Sequence, residues 1–474
     1  MASQWMVDPM ASYWGNLGAI YCIDNVKVVL VMSDSTSTHT TQSESSEILG
    51  LNIWRLVAVA AVAGIGVGFI GGTFHWMLVH GSERFSALLE HWKADGFYGV
   101  PGWIGAALIA GICIGLARWL VYFAPSAAGS GVQHVEAVMR KEADPAPLRV
   151  LPIKFFGGLL AMVPGMALGR EGPTIQMAAV IGSQCGRIFR LSKEDGFLLY
   201  TAVAGAGLSV AFNAPMAGIA FVLEEVTRKI TTRSVLITLI AVATSITVFR
   251  ALFGNAISFS IPDLVAPELA NLILYAILGL IVGLMGALYN RNILFGLNLF
   301  STTMPNIPVA LKAAFVGAGV GLIAYWQPSW VGGGELQVQQ VLSNNFGAQA
   351  LITLLIVRWL LGSISYSPSL PGGLFAPLLL VGAISGALFA QLINFIPALA
   401  FQADTVSFAL VGMAAFFTAV VRAPFTGVLL IIEMSGGVIL TPGLLVACVC
   451  ATLITSYMGS PPIYDSLRER MFSR

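Results

Sequence analysis

Charge is what this sequence has least of. Only 10% of its 474 residues are Asp, Glu, Lys or Arg, against about 25% in a typical soluble domain, while 57% are hydrophobic. So few charges cannot cover a water-facing surface of this size, and a mean hydropathy of +0.84 turns most of the surface toward lipid. A net charge of +1 leaves no basic stripe for nucleic acid. The five cysteines (Cys22, Cys113, Cys185, Cys448, Cys450) show neither a disulfide framework nor a zinc spacing, and Cys448 and Cys450, inside an apolar run, are expected to be buried thiols. His75, His80, His91 and His134 form no HExxH pattern, so no metal site and no cofactor are expected. Glycine is abundant, at 51 residues, which suits close helix packing and broken helices in a membrane.

Residues 1–50 differ from the rest. Ser33 to Ser46 is rich in Ser and Thr, has no apolar periodicity and reads as disordered. Residues 1–32 lack the parts of a signal peptide, which makes Met32 a candidate for the true start and 1–50 a disordered or misplaced extension. Residues 51–474 read as one transmembrane domain, all-α and polytopic. Its apolar stretches run at 53–74, 103–123, 198–223, 234–253, 271–289, 309–325, 373–400, 407–432 and 439–457, several too long or too Gly/Pro-interrupted for one straight span. Arg228, Lys229 and Arg233 follow one span, and Arg468, Arg470 and Arg474 follow the last, so the positive-inside rule puts both, and the C-terminus, on the cytoplasmic side of a cell (inner) membrane. With the chain stopping ten residues after Tyr464, no soluble C-terminal domain is expected.

The two halves, roughly 100–255 and 310–458, resemble each other. Lys154, Gly158, Gly169, Pro173 and Gly182 match Arg358, Gly362, Gly373, Pro377 and Gly386 at an offset of 204. Ala214, Pro215, Gly218 and Glu224 match Ala423, Pro424, Gly427 and Glu433 at 209. Repeated halves place a transported substrate where they meet, here between 169–173 and 373–377. Both segments are Gly-Pro breaks opening an apolar stretch, with proline in the first helical turn. Two helix N-termini facing each other offer free N–H groups and positive dipole ends, an anion site without a full charge, and so one that releases its ion. Gly129-Ser130-Gly131 is a third candidate end, with a hydroxyl to add.

Glu171 is the exception among these glycines. A carboxylate at the centre of a membrane helix costs about 2.5–3.5 kcal/mol, and residues that costly usually have a function. One reading is a salt bridge with neighbouring Arg170. The other is that Glu171, itself an anion, occupies the site when deprotonated and leaves it when protonated, so that anion and proton compete for one place. Glu224 and Glu225 point about 100° apart on a helix. Glu224 has a counterpart in Glu433 and reads as structural. Glu225 aligns with Met434 and reads as the functional residue, a proton donor or acceptor on the cytoplasmic side.

These residues carry a family likeness. Gly129-Ser130-Gly131, Val150 to Gly158, Gly169-Arg170-Glu171-Gly172-Pro173, Ala211 to Glu225, Gly372 to Pro377 and the Tyr464 region appear in order over roughly 120–470. The chain resembles the ClC family of chloride channels and chloride/proton antiporters, most closely the bacterial antiporters. The resemblance implies a homodimer with one pathway per subunit, each subunit two inverted repeats of tilted and broken helices. It implies chloride held by the hydroxyls of Ser130 and Tyr464 and the backbone N–H groups of Leu374 and Phe375. Glu171 would be the external gate, Glu225 the internal proton glutamate, and Glu136 a group near the proton entry. Ser130 favours chloride, since nitrate-preferring relatives carry Pro there. Where the family usually continues Ile-Pro-Glu, Val132, Gln133 and His134 follow; the lost proline leaves an extra N–H that changes affinity or admits water, and His134 reads as a satisfied surface histidine rather than a pH sensor. A passive chloride channel of the same fold is the alternative function. An intramembrane enzyme built on Ser130 and His134 is disfavoured, because Ala-Gly-Ser-Gly is no GxSxG elbow.

Overall fold

The computed structural model describes residues 22–23, 26–27, 39–227, 231–255, 258–262, 264, 266–343, 346–395 and 403–472. The chain divides into two units, Met1–Arg55 and Leu56–Arg474. In the first, β1 (Cys22–Ile23) and β2 (Val26–Lys27) pair antiparallel. Met32, Arg228, Lys229 and Arg474 lie outside the described residues, as does the start of the Ser/Thr-rich stretch; its residues from His39 on belong to α1 (His39–Asp95).

The second unit is helical. After α1 come α2 (Gly102–Leu120), α3 (Val132–Met139), α4 (Val150–Met162), α5 (Glu171–Ile188), α6 (Lys193–Phe212), α7 (Pro215–Phe221) and α8 (Thr232–Phe253). A long α9 (Leu269–Thr302) leads to α10 (Val309–Trp326), α11 (Glu335–Leu342), α12 (Ala348–Tyr366), α13 (Phe375–Asn394), α14 (Thr405–Val421), α15 (Pro424–Ser435) and α16 (Thr441–Tyr457). The described chain closes on α17 (Ile463–Phe472). Among the described residues nine helices are long and apolar enough to cross a membrane. Large apolar side chains such as Ile273 (66% exposed) and Phe315 (62%) cover the outside, which only lipid makes favourable. This is a multi-pass membrane protein.

The repeat is visible helix by helix, and the fold is two inverted halves. The starts of α5 and α13 keep the offset of 204, and those of α7 and α15 the offset of 209. The breaks repeat as well. The long apolar stretches 198–223 and 407–432 each split where a non-glycine residue turns left-handed, Asn213 (φ 53°) and Arg422 (φ 71°), and a proline two residues later opens the next helix. The N-caps correspond too: Ser192 Oγ accepts from the Asp195 N–H before α6, and the Asp404 carboxylate accepts from Ser407 before α14. The span α12 carries a cation, Arg358, in its middle and is still apolar enough to cross a membrane. That guanidinium is buried and donates to the carbonyls of Trp330 (3.0 Å) and Gly332 (2.8 Å), which makes it tolerable there. Of the expected buried thiols, Cys448 is buried, whereas Cys450 is only half-buried on the other face of α16.

Small residues let the inner helices touch backbone to backbone. A Cβ added at Gly386 on α13 would lie 1.9 Å from the Phe408 carbonyl oxygen of α14. Gly386→Ala is therefore expected to lose roughly 1–3 kcal/mol through overpacking. Thermal unfolding in a fixed detergent reads it; an unchanged midpoint would show that the two helices can part without penalty.

Candidate functional site

Three helix starts are tied to one another by backbone bonds. Gly169 before α5 and Gly373 before α13 exchange both N–H···O bonds, at 2.9 and 2.7 Å. Gly129 before α3 accepts from the Gly372 N–H (3.2 Å) and donates to the Ser369 carbonyl (3.1 Å). The segments expected to line a pathway, 169–173 and 373–377, are thus not merely facing but paired. The buried Lys154 ammonium closes the third loop, donating to the carbonyls of Gly129 (2.6 Å) and Ser130 (2.9 Å).

Glu171 is the first residue of α5 and is fully buried. Its Oε1 accepts the backbone N–H of Phe375, at the start of α13, at 2.6 Å, and its Oε2 has no partner. A carboxylate of one half therefore sits on the helix N-terminus of the other, where charge-assisted hydrogen bonding and the helix dipole both favour an anion. The salt bridge to Arg170 does not form. The Arg170 guanidinium instead donates to the Ala211 carbonyl (2.7 Å) and pairs with Glu335 (2.9 Å).

Ser130, in the loop before α3, and Tyr464 of α17 come to the same place. A Cβ added at Gly172, in the first turn of α5, would meet Ser130 Oγ at 2.3 Å. The Tyr464 hydroxyl is within electrostatic reach of Glu171, Tyr366, Glu136 and the Ser130 hydroxyl. Both hydroxyls are buried and neither has a hydrogen-bond partner of good geometry. Leaving such groups unsatisfied costs about 1–3 kcal/mol each, which a bound anion would offset. Leu374 is the buried N-cap of α13. The Phe375 ring completes an apolar wall with Phe417, Phe221 and Tyr464, at centroid distances of 4.7, 5.8 and 5.8 Å.

Glu225 is buried in a π-helical turn, Val222–Thr227, that follows α7. The turn packs against α3, which carries the buried Glu136. Glu224, one residue earlier, accepts the backbone N–H groups of Phe425 (3.0 Å) and Thr426 (2.8 Å) at the start of α15. Glu433 does the same at the start of α7, for Met216 (2.9 Å) and Ala217 (2.8 Å).

The start of α3 differs from expectation. Where the family usually has proline, the Gln133 side chain accepts from the Gly131 N–H (3.1 Å). His134 is not at the surface: it is 7% exposed, and its Nδ1 has no partner. It faces inward on a helix packed against α5, α6 and α17. The sequence reading also missed Tyr366, whose hydroxyl accepts the Ser130 N–H at 3.2 Å. A signal for a further repeat was present: Gly129 and Gly131 have counterparts in Gly332 and Gly334, 203 residues later, all four with positive φ, and Lys154 and Arg358 each hold one of those loops.

A sequence profile for the voltage gated chloride channel family matches residues 106–456. The chain belongs to that family. The H(+)/Cl(-) exchange transporter ClcA of Vibrio parahaemolyticus is 35% identical over 433 residues, 89% of this chain and 91% of that protein. The protein of the same name from Klebsiella pneumoniae is 34% identical over 432 residues, 88% of this chain and 89% of that one. A crystal structure of a slow cyanobacterial Cl-/H+ antiporter superposes with a TM-score of 0.83 at 31% identity, covering 89% of this ClC chain and 98% of that one. A CLC-type fluoride/proton antiporter (TM-score 0.71, 21% identity, 86% and 96% covered) shares the fold.

Proposed function

We propose that this ClC protein is a secondary-active chloride/proton antiporter. The observation that supports the reading most is the Glu171 carboxylate on the Phe375 N–H: a titratable anion occupies a helix-terminal anion site. Deprotonated, it competes with chloride for that place; protonated, it loses its charge-assisted bond and yields. Chloride in the site is held by Ser130 and Tyr464 through their hydroxyls and by Leu374 and Phe375 through their N–H groups. Glu225 exchanges protons with the cytoplasm, with Glu136 near the entry, since both are buried carboxylates on elements packed together. The protein works as a homodimer with a pathway in each subunit, in the inner membrane, its C-terminus cytoplasmic. A passive channel has no need of a second buried carboxylate away from the gate, and Glu225 is what disfavours that alternative.

Crossed chloride and pH gradients across reconstituted vesicles test the proposal. The reversal potential is expected to lie away from the chloride Nernst value and to move with the pH gradient. A potential fixed at the chloride value means a channel.

A further inference from the structure

A charged pair beside the gate takes no part in the anion frame. Arg170 is the N-cap of α5 and its side chain is 8% exposed, whereas that of its partner Glu335, the first residue of α11, is 38% exposed. Glu335 is therefore partly exposed while Arg170 and Glu171 are buried. The scaffold's charges repeat between the halves, as Lys154 with Arg358 and Glu224 with Glu433. These three do not: Arg170 corresponds to Leu374, Glu171 to Phe375 and Glu335 to Val132. A charge cluster that only one half carries is not needed to build the frame.

The groups that face it can be named. Arg170 is faced by Glu335 from α11, His75 from α1 and the Ala211 carbonyl from α6. Glu171 is faced by Arg170, by Glu335, by Tyr366 of α12 and Tyr464 of α17, and by the Phe375 N–H of α13. Arg358 of α12 lies beside Gly334, where α11 begins. A guanidinium next to a buried carboxylate favours its ionised form, which here is the form that fills the anion site. Glu335 cancels that charge and adds its own repulsion of Glu171, so both effects ease protonation of the gate.

We infer that Glu335 is a positioning residue that sets the pH at which the gate opens, by holding and neutralising Arg170. The inference rests on Glu171 being the gate. It predicts that Glu335→Gln requires a more acidic medium for the same fractional flux.

Chloride flux from reconstituted vesicles, normalised to its own maximum and measured across pH, tests this independently of how much variant protein folds. Glu335→Gln is expected to move the midpoint of acid activation down by about one pH unit. Glu335→Asp, which keeps the charge, stays near the parent, and Glu335→Gln added to Glu171→Gln changes nothing further. An unmoved midpoint in Glu335→Gln, with pH dependence abolished by Glu171→Gln, overturns this inference and leaves the gate intact. An equal shift in the Glu171→Gln background overturns it too, since Glu335 would then act elsewhere. Full pH dependence in Glu171→Gln alone removes the gate itself, and the inference with it.

Discussion

Glu171→Gln is expected to stop proton movement while chloride continues to flow. The neutral amide keeps one oxygen for the Phe375 N–H, which now lies 2.6 Å from the carboxylate. It loses the charge that makes such a bond roughly twice as strong as a neutral one, and it carries no proton to exchange. Chloride then competes against a weaker occupant, and nothing in the site alternates between charged and uncharged forms. Paired chloride- and proton-sensitive electrodes on reconstituted vesicles read both fluxes. Proton uptake should fall to the leak of protein-free vesicles, and the reversal potential should move to the chloride Nernst value. A variant that still pumps protons uphill against a chloride gradient removes Glu171 from the gate.

Much of this arrangement was legible in the sequence, because the repeat gave positions as well as elements. Gly169 and Gly373 were assigned to one place from an offset of 204, and their backbones exchange hydrogen bonds. Glu224 was set apart from Glu225 by the same logic, and Glu224 and Glu433 each cap a helix of the opposite half. What escaped depends on long-range packing. Tyr366 reaches Ser130 across 236 residues, and no local pattern marks that tyrosine apart from its neighbours. The partner of Arg170 is 165 residues away, so a carboxylate adjacent in sequence was the natural candidate. His134 was misread because a polar residue in a short helix usually faces water, whereas α3 is enclosed by α5, α6 and α17.

The second large effect separates two adjacent carboxylates. Glu225→Gln is expected to abolish proton transport and leave the fold intact, while Glu224→Gln keeps proton transport and loses stability. The structure gives each a different setting. Glu224 receives three hydrogen bonds at the start of α15: the N–H groups of Phe425 and Thr426, and the Thr426 hydroxyl at 2.8 Å. A glutamine there turns an NH2 toward groups that are themselves donors, and a lost cap of this kind costs about 1 kcal/mol. Glu225 lies one residue further on, buried in the π-helical turn Val222–Thr227. The π-helical turn that holds it has no equivalent around Met434, where α15 continues as regular helix to Ser435. Such turns put one extra residue into a helix, rotate the following side chain to a new face, and are frequent at functional positions. Here the turn holds a buried carboxylate and packs against α3, the helix that carries Glu136. Proton flux in vesicles and thermal unfolding in detergent, measured on both variants, give a two-by-two outcome. Loss of proton flux in Glu224→Gln with retention in Glu225→Gln would mean that symmetry between the halves is no guide to which carboxylate carries the proton.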